Sequence, residues 1–312
     1  MSIYTDFAAF RADHPACVAT IGKYDGLHLG HQHVLDSLRQ IAREEQLPAV
    51  VVVSEPHPEE FFAGKDAPPR LTQFEDKVRF LLSYGVDAVY RMNFDEKLCG
   101  LAPDDFIRDY LVNGLGVKTL IVGDDFRFGK NRAGDFNLLA RKGGEYGFRV
   151  LREEPCEVGG RRVSSTLVRD LLLKGDCEGV KSLLGRYYSI GGEVVPGRRL
   201  GRELGTPTAN IALSMQKLPL QGIFSVLARL GDRQLQGVAS LGVNPTIDDS
   251  NIPKLEVFLF DFDEDIYGER LEVSFVKKLR DEQAFPDLDA LRQQMRQDIE
   301  QARDALAMVA PA

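Results

Sequence analysis

The chain has 312 residues, which is long enough for two domains that each bury a core of their own. Its 39 basic and 47 acidic residues give a formal net charge of −8, which argues against nonspecific nucleic-acid binding but leaves small anionic ligands possible. The first residues lack the pattern of a signal peptide, and no apolar run approaches the roughly 18 residues of a membrane span. We therefore expect a cytoplasmic protein with no nucleic-acid and no membrane partner; its oligomeric state is left open.

Cysteine and histidine are both placed in ways that limit the chemistry. Cys17, Cys99, Cys156 and Cys177 form no Cys-x-x-Cys pair, so we expect free thiols rather than a disulfide or a zinc site. All five histidines lie within residues 14–57. Acid–base chemistry later in the chain must therefore use carboxylates or other groups.

The first distinctive segment is a strand, a glycine-rich loop and a helix over residues 18–42. An apolar run at 18–21 predicts a buried strand, and apolar residues recur at helical spacing from Val34 to Ala42. The loop between them carries the polar residues.

In that loop, His28 and His31 are three residues apart where the helix begins, close to its unpaired backbone N–H groups. Gly22 and Gly26 allow a sharp turn, and Gly30 has no Cβ to hold a phosphate away. This arrangement predicts an anion site that fits a triphosphate. A His-x-Gly-His sequence alone is also consistent with ordinary helix capping.

Four further apolar runs alternate with helical patterns through the first half of the chain, at residues 50–53, 88–92, 119–122 and 148–151. The intervening helices are predicted to begin near Phe74 and Pro103. Such alternation predicts right-handed βαβ units and a parallel sheet.

Ligands of a parallel sheet bind beyond the carboxyl ends of its strands, where the segments 22–31, 54–58 and 123–129 are expected to lie as loops. The aromatic residues that we place in loops near those ends suit stacking on a flat heterocycle; they are Phe61, Phe62, Phe126 and Phe128. Local packing is the alternative interpretation of each phenylalanine.

A second polar segment opens a helix near residue 165. Ser164, Ser165 and Thr166 offer hydroxyls, and Arg169 offers a guanidinium, all suited to an anion. An ordinary N-cap is the simpler explanation of the serines. Asp176 is expected to cap the next helix, which ends near Leu184.

The second half changes to strand patterns, at residues 187–195, 223–230, 234–241, 255–260 and 271–276. Alternating apolar and polar residues favour antiparallel strands and a small closed barrel. Helical spacing returns over 285–308. The two domains are therefore expected to meet near residue 185.

The connection between the first two of these strand patterns, residues 197–210, combines a Gly/Arg loop containing Gly201 and Gly205 with two neutral oxygen donors, Thr208 and Asn210. Mg²⁺ needs few protein ligands when a nucleotide supplies the others, and the loop is suited to covering phosphates. A turn ending in an Asn cap is the alternative.

The His-x-Gly-His loop and the Ser-Ser-Thr-x-x-Arg segment together resemble the two signatures of the nucleotidyltransferase superfamily. Further motifs extend the likeness over nearly the whole chain: Gly22-Lys-Tyr-Asp-Gly26, Glu55-Pro-His-Pro58, Arg70-Leu-Thr72, residues 123–129 and Gly205-Thr-Pro-Thr-Ala-Asn210. These motifs resemble the bifunctional bacterial riboflavin kinase/FMN adenylyltransferases, the prokaryotic FAD synthetases.

The resemblance implies an α/β + β fold. A Rossmann-like nucleotidyltransferase domain with a parallel sheet is expected at 1–185, and a riboflavin kinase domain at 186–312, with a six-stranded antiparallel barrel followed by a helix. The barrel domain would phosphorylate riboflavin with ATP to give FMN. The first domain would transfer AMP from a second ATP to FMN, giving FAD and pyrophosphate, and both steps would use Mg²⁺.

The resemblance also implies roles for individual residues. The catalytic residues would be His28, His31, Asn210 and Glu256, the last as general base of the kinase. The nucleotide would be bound by Gly22, Lys23, Asp25, Gly26, Gly30, Ser164, Ser165, Thr166, Arg169, Gly201, Gly205 and Thr208. The flavin would be bound by His57, Phe62, Asp125, Phe126 and Phe128. Thr208 and Asn210 would be the Mg²⁺ ligands.

Several positions depart from the family's usual residues: Lys23, Tyr24, Ser54, Thr206, Ser240 and Phe258. None removes a residue assigned to catalysis. Two alternatives remain open, namely a single-activity nucleotidyltransferase with a regulatory barrel and a flavin-binding sensor or carrier with degenerate catalysis.

Overall fold

The computed structural model describes residues 3–197, 206–215, 217–243 and 253–309. The chain divides into two compact units. One, here called the sheet unit, contains residues 1–68 and 77–163, and the other, the barrel unit, contains 69–76 and 164–312. Residues 164–185 thus group with the barrel, while the predicted domain boundary near 185 stays a prediction.

The sheet unit is built on a parallel sheet, as predicted, and this sheet has six strands, one more than the five apolar runs. Its strands are β1 (Ile3–Tyr4), β2 (Cys17–Gly22), β3 (Ala49–Glu55), β4 (Ala88–Asn93), β5 (Val117–Gly123) and β6 (Arg149–Glu153), in the order β1-β4-β3-β2-β5-β6. The valines of β3 are fully buried, because helices cover both faces of a parallel sheet. This burial explains the uninterrupted apolar run at 50–53.

Residues 3–163 contain seven α-helices: α1 (Phe7–Asp13), α2 (Leu29–Glu45), α3 (Pro58–Ala63), α4 (Phe74–Ser83), α5 (Glu96–Gly100), α6 (Pro103–Phe106) and α7 (Phe136–Tyr146). A π-helix at Ile107–Gly114 continues α6, and short 3₁₀ turns lie at Gly64–Asp66 and Lys130–Arg132. A two-stranded hairpin of β7 (Glu157–Val158) and β8 (Arg161–Arg162) precedes the end of the unit.

Two details of the predicted loops are wrong. Ser54 and Glu55 belong to β3, because their pairing with β4 continues to the end of that strand, so the loop begins at Pro56. Phe61 and Phe62 lie in α3 rather than in a loop.

The barrel unit begins with α8 (Ser165–Leu173) and α9 (Cys177–Leu184). Six antiparallel strands then close a barrel: β9 (Tyr188–Val195), β10 (Ala209–Ile211), β11 (Gly222–Leu230), β12 (Arg233–Val243), β13 (Pro253–Leu259) and β14 (Arg270–Arg280). The last helix is α10 (Leu288–Ala307). Along β13 the burial alternates strictly, with Leu255, Val257 and Leu259 inside the barrel.

The last helix, α10, packs on the outside of the barrel through Ala302 and Leu306, which contact Phe260 and Val276. Among the described residues, no helix has both the length and the apolar character needed to cross a membrane. All four cysteines are free, and Cys17 and Cys177 are buried.

A buried ion pair ties α10 to β14. The Arg280 guanidinium donates to both carboxylate oxygens of Asp298, with Nε–Oδ1 2.9 Å and Nη2–Oδ2 2.7 Å. The Asp298 side chain is only 5% exposed. Loss of either partner would leave a buried charge uncompensated.

We expect Asp298→Ala to lower the free energy of unfolding of the barrel unit by about 3–5 kcal/mol, measured by urea denaturation followed by circular dichroism. Asp289→Ala is the matched control, because it removes an exposed ion pair between Asp289 and Arg292. The Asp289 side chain is 92% exposed. That control should cost about 1 kcal/mol or less. Equal losses in the two variants would contradict a special role for the buried pair.

Candidate active sites

The loop between β2 and α2 has three residues in the left-handed backbone conformation. Tyr24, Gly26 and Leu27 all have positive φ angles, of 50°, 87° and 48°, although only one of them is glycine. His28 is the N-cap of α2, and its Nδ1 accepts a hydrogen bond from the backbone N–H of His31 at 3.3 Å. The loop therefore presents the first turn of α2 together with both histidines.

Gly30 leaves room for the His28 ring as well as for a phosphate. A Cβ at position 30 would lie 3.2 Å from Cε1 and Nδ1 of His28, tighter than ordinary van der Waals contact. Glycine thus lets the imidazole fold back over the start of the helix.

The two predicted catalytic histidines of the sheet unit stack on each other. The ring centroids of His28 and His31 are 3.7 Å apart, with an interplanar angle of 12°. The Tyr24 ring lies 4.9 Å from His31, and the Tyr24 hydroxyl is 2.8 Å from Thr20 Oγ1. The departure at position 24 thus brings a hydroxyl that has a buried partner in Thr20.

Burial controls the charge of His31. Desolvation lowers its pKa well below the ordinary value, and electrostatic interaction with His28, Lys77 and Lys23 acts in the same direction. Its Nδ1 is buried and makes no hydrogen bond to any residue that the structure describes. His31 is therefore neutral at physiological pH.

The other loop residues differ in environment. Asp25 is fully buried. Lys23 forms an ion pair with Glu59 in the first turn of α3, and both side chains are 42% exposed. Such an exposed pair holds its partners weakly, so Lys23 can exchange Glu59 for an anionic ligand.

His57, predicted to bind flavin, is the N-cap of α3 and is almost fully buried. Its Nε2 lies 2.9 Å from Nζ of Lys77, a residue that sequence reasoning missed. The signal was present: Lys77 occupies the apolar stripe of α4, in the spacing of Phe74, Val78 and Leu81. A lysine is unusual on the apolar face of a helix.

The other predicted flavin residues are spread over two segments. Phe62 is 67% exposed and makes edge contacts with Phe61 and Phe94. Phe128 is buried against Phe106 and stacks on Phe126, with centroids 5.4 and 5.7 Å away.

Asp125, the remaining predicted flavin residue, is exposed and forms an ion pair with Arg162 at 3.0 Å. The contacts of Phe128 are those that the local-packing interpretation expects. Flavin binding by these residues stays a prediction.

At the start of α8, Ser164 and Ser165 occupy different positions. Ser164 is the N-cap, and its Oγ accepts from the backbone N–H of Leu167 at 3.2 Å. Ser165 and Thr166 form the first turn, and Nε of Arg169 donates to the carbonyl of Pro69 at 2.6 Å. Ser164 thus performs the ordinary capping function, while nucleotide binding by this segment stays a prediction.

In the barrel unit, register brings three polar residues into one row. Asn210 on β10 pairs directly with Glu256 on β13, and Glu256 pairs directly with Ser240 on β12. Directly opposite residues share one face of a sheet, and this face is the outer one, because Leu255 and Val257 point inside. Asn210, Glu256 and Ser240 therefore form a row across the barrel wall.

Neighbouring residues support this row. A Cβ at Gly197 would lie 2.1 Å from Nδ2 of Asn210, so glycine is needed to admit the amide. Asn210 Nδ2 is 3.5 Å from the carbonyl of Thr208. Glu282, which sequence reasoning missed, accepts a hydrogen bond from Ser240 Oγ at 3.3 Å.

The donors available for a cation here are hard oxygens, the Thr208 hydroxyl and the Asn210 amide, which suit Mg²⁺ bound largely by nucleotide phosphates and water. No group of three or more His, Cys, Asp or Glu suited to a metal occurs within 3–197, 206–215, 217–243 and 253–309. The predicted nucleotide residues Gly201 and Gly205 lie outside the described residues.

The remaining departures sit in the barrel. Phe258 lies on the outer face of β13 and packs against the apolar cluster beneath α10, in edge contact with Phe260. Oγ1 of Thr206 is buried without a hydrogen-bond partner among the described residues. Phe258 thus serves the docking of the last helix.

Comparison with known proteins assigns both units. The FAD synthetase family model matches residues 10–167, and the riboflavin kinase family model matches residues 184–306. The two matches together cover most of the chain and leave a gap, residues 168–183, that holds most of α8 and most of α9.

Whole-length relatives agree with this division. Bifunctional riboflavin kinase/FMN adenylyltransferases of Escherichia coli (strain K12) and Pseudomonas fluorescens are each 43% identical, over 97% of this chain and 96% of theirs. A crystal structure named as a macrolide-efflux protein from Streptococcus pneumoniae matches with a TM-score of 0.80 at 27% identity, over 97% of this chain and 98% of that one. The chain therefore belongs to the family of bifunctional riboflavin kinase/FMN adenylyltransferases.

Proposed function

We propose that His28 and His31 serve the transfer of AMP from ATP to FMN, and that Glu256 and Asn210 serve the phosphorylation of riboflavin by ATP. The observation that carries this proposal is that each family region contains one polar constellation of its own. The stacked histidine pair lies at a helix N-terminus in the sheet unit. The Asn210–Glu256–Ser240 row lies in the barrel unit.

For adenylyl transfer, the acceptor is already a nucleophile. An oxygen of the FMN phosphate attacks the α-phosphorus of ATP, the bond to the bridging oxygen breaks, and pyrophosphate leaves. The protein needs no nucleophile of its own, so its contribution is positioning and stabilisation of developing charge.

The two histidines suit that task through their hydrogen-bond donors. Nδ1 of His28 accepts the backbone N–H of His31, so a neutral His28 carries its proton on Nε2 and donates from there. His31 stays neutral because of its lowered pKa and donates from one ring nitrogen. Backbone N–H groups of the first turn of α2 add further donors.

For the kinase step, Glu256 is proposed as the general base. Its carboxylate takes the proton of the ribityl 5′-hydroxyl as that oxygen attacks the γ-phosphorus, and ADP leaves. Asn210 and Ser240 flank Glu256 in register. Thr208 and Asn210 would hold Mg²⁺, which supplies neutralisation of phosphate charge when it is bound.

The nucleotide of the adenylyl step is further assigned to the Gly22–Gly30 loop of the sheet unit, and anion binding by Ser164, Ser165, Thr166 and Arg169 of the barrel unit stays a separate prediction. We place the enzyme in the cytoplasm, with ATP, riboflavin, FMN and FAD as its small-molecule partners and with neither nucleic acid nor membrane among its partners. The backbone N–H groups at the start of α2 support the anionic part of this assignment.

One chromatographic assay of the purified protein tests the proposal. Riboflavin and ATP should give ADP and FMN, and then FAD with pyrophosphate. FAD formation from FMN without any riboflavin phosphorylation would favour a single-activity nucleotidyltransferase with a regulatory barrel. Tight flavin binding without either product would favour a sensor or carrier.

A further inference from the structure

Gln73 is a buried glutamine of the barrel unit, with 7% of its surface exposed. It belongs to the segment 69–76 and precedes Gly191 of β9 by 118 residues in the sequence. Glutamine is mostly exposed in proteins, because its amide has donors and acceptors that need partners when it is buried. A buried amide at this position therefore requires specific partners.

The partners of the Gln73 amide are two backbone groups of the barrel unit. Its Nε2 donates to the carbonyl of Gly191 on β9 at 2.6 Å, and its Oε1 accepts from the backbone N–H of Ser214 at 2.8 Å. The Ser214 hydroxyl donates to the same Oε1 at 2.6 Å. The side-chain amide thus offers one donor and one acceptor to the main chain, as a peptide group does.

The register of β9 and β10 shows what these two backbone groups would otherwise do. Directly after β10, the backbone N–H of Ala212 donates to the carbonyl of Glu193 on β9 at 2.9 Å, which continues the register of the two strands. Hydrogen bonds on one edge of an antiparallel pair recur every two residues, forwards on one strand and backwards on the other. The next hydrogen bond would therefore join the N–H of residue 214 to the carbonyl of residue 191.

The Gln73 amide takes the place of that next hydrogen bond. The Ser214 N–H and the Gly191 carbonyl bond to opposite ends of one side-chain amide rather than to each other. Asp76 of the same segment accepts from the Gly191 N–H at 3.4 Å. Two side chains of one segment thus satisfy the edge of β9 at the point where the chain after β10 separates from it.

This bridge lies close to the residues proposed for the kinase step. The strand β10 has only three residues, and Asn210 at its centre lies opposite Glu256 on β13. A strand of this length takes its position from the neighbours on both sides, and the Gln73 amide extends the attachment to β9 as far as Ser214. Loss of the bridge would release the chain after β10 and change where Asn210 lies relative to Glu256.

We propose that Gln73 is a positioning residue for riboflavin phosphorylation, which holds β10 against β9 and thereby fixes Asn210 beside Glu256. This inference rests on the proposed assignment of Asn210 and Glu256 to the kinase step. The alternative is that the amide only anchors the segment 69–76 to the barrel. The proposal requires the amide itself, whereas the alternative requires only that the segment is held.

The activity test uses Gln73→Met in the full-length protein, which keeps the length of the side chain and removes its donor and its acceptor. The kcat for FMN formation should fall on the order of 10-fold or more, since a displacement of about 1 Å can cost roughly 10²-fold. The Mg²⁺ concentration for half-maximal FMN formation should rise several-fold, because Asn210 is a proposed Mg²⁺ ligand. FAD formation from supplied FMN should stay near the wild-type rate, which reports that the variant is folded.

Hydrogen exchange followed by mass spectrometry tests the bridge directly. Peptides covering residues 209–215 should exchange faster in Gln73→Met than in the wild type, whereas peptides from β12 should exchange alike. If Gln73→Met is not obtained folded, Gln73→Glu decides the question. Its carboxylate still accepts from Ser214 but has no N–H for the Gly191 carbonyl, so the same changes in kcat and exchange should appear.

Tyr188→Phe is the matched control. The Tyr188 hydroxyl donates to the carbonyl of Leu71 at 2.7 Å, so it anchors the same segment to β9 without taking part in the β9–β10 ladder. Its loss should leave the kcat for FMN formation and the exchange of residues 209–215 close to wild type. Equal effects in Tyr188→Phe and Gln73→Met would favour simple anchoring and overturn the proposal.

FMN formation at the wild-type rate in Gln73→Met, unchanged exchange of residues 209–215, or a loss confined to FAD formation would also overturn it. Failure of the kinase assignment gives a different result, because Glu256→Gln tests that assignment directly. If Glu256→Gln keeps full FMN formation, the row in the barrel wall is not the kinase site. If Glu256→Gln loses it and Gln73→Met does not, only the role of Gln73 is wrong.

Discussion

His31→Ala is expected to lower FAD formation from FMN and ATP by roughly 10² to 10³, the usual loss when one preorganised donor to developing charge is removed. The His31 imidazole is stacked on the His28 ring and makes a tilted contact with the Tyr24 ring, so its position in the pocket is fixed by both neighbours. Riboflavin phosphorylation should stay near the wild-type rate, because His31 belongs to the sheet unit and the residues proposed for the kinase step belong to the barrel unit. Chromatography of FMN, FAD and ADP measures both activities in one reaction.

His33→Ala is the matched control for this prediction. His33 lies two residues along the same helix, is mostly exposed, and its Nε2 is 3.4 Å from a carboxylate oxygen of Glu153. Its loss should change FAD formation little, since an exposed pair contributes weakly. Equal loss of both activities in His31→Ala would rule out two separate sites.

The lowered pKa of His31 has a consequence for stability with a definite sign. A histidine whose pKa falls on folding binds fewer protons in the native state, so the unfolded state gains protons first as the pH drops. His31 therefore disfavours folding below the ordinary histidine pKa of about 6.5 and contributes no pH dependence above it. Near neutrality its protonation does not limit adenylyl transfer.

Strong local patterns were read correctly from the sequence. The run of valines in β3 follows from burial of both faces of that strand. The helical spacing in α2 and the alternation along β13 follow from burial of one face of each element. Only the family resemblance pointed to Glu256, and local patterns could not show its pairing with Asn210, because register across a closed barrel depends on strands far apart in sequence.

Elements with weak or contradictory local signals were missed. The helix α7 carries Gly143 and Gly144 in its interior, which helix propensity disfavours, yet a Cβ at 143 would lie 2.6 Å from the carbonyl of Phe148. The strand β10 has only three residues and exists through its pairing with β9 and β13. In both cases tertiary contacts override the local preference.

Three of the departures from the family's usual residues have local explanations in this chain. The Tyr24 hydroxyl pairs with Thr20, Lys23 pairs with Glu59, and Phe258 packs beneath α10. Each side chain has a partner that suits its chemistry. These substitutions therefore give no support to the interpretation of a degenerate sensor.

Glu282→Gln is the control for the prediction on the kinase base. Glu282 is another carboxylate at this wall of the barrel, with Oε1 3.3 Å from Ser240 Oγ, and it is exposed. If Glu256 is the base, neutralising Glu282 should leave the rate of FMN formation within a few-fold of wild type. A large loss in Glu282→Gln with none in Glu256→Gln would transfer the role to Glu282.

Glu256→Gln should lower the rate of FMN formation by roughly 10² to 10⁴, the span expected for losing a positioned general base. Glutamine keeps the shape and the hydrogen bonding of the side chain, but it does not accept the proton of the ribityl hydroxyl. The affinity for ATP should change little, so the loss should appear in kcat rather than in KM for ATP. FMN supplied directly should still become FAD. Riboflavin phosphorylation close to the wild-type rate would show that Glu256 is only a polar residue on the outer face of β13.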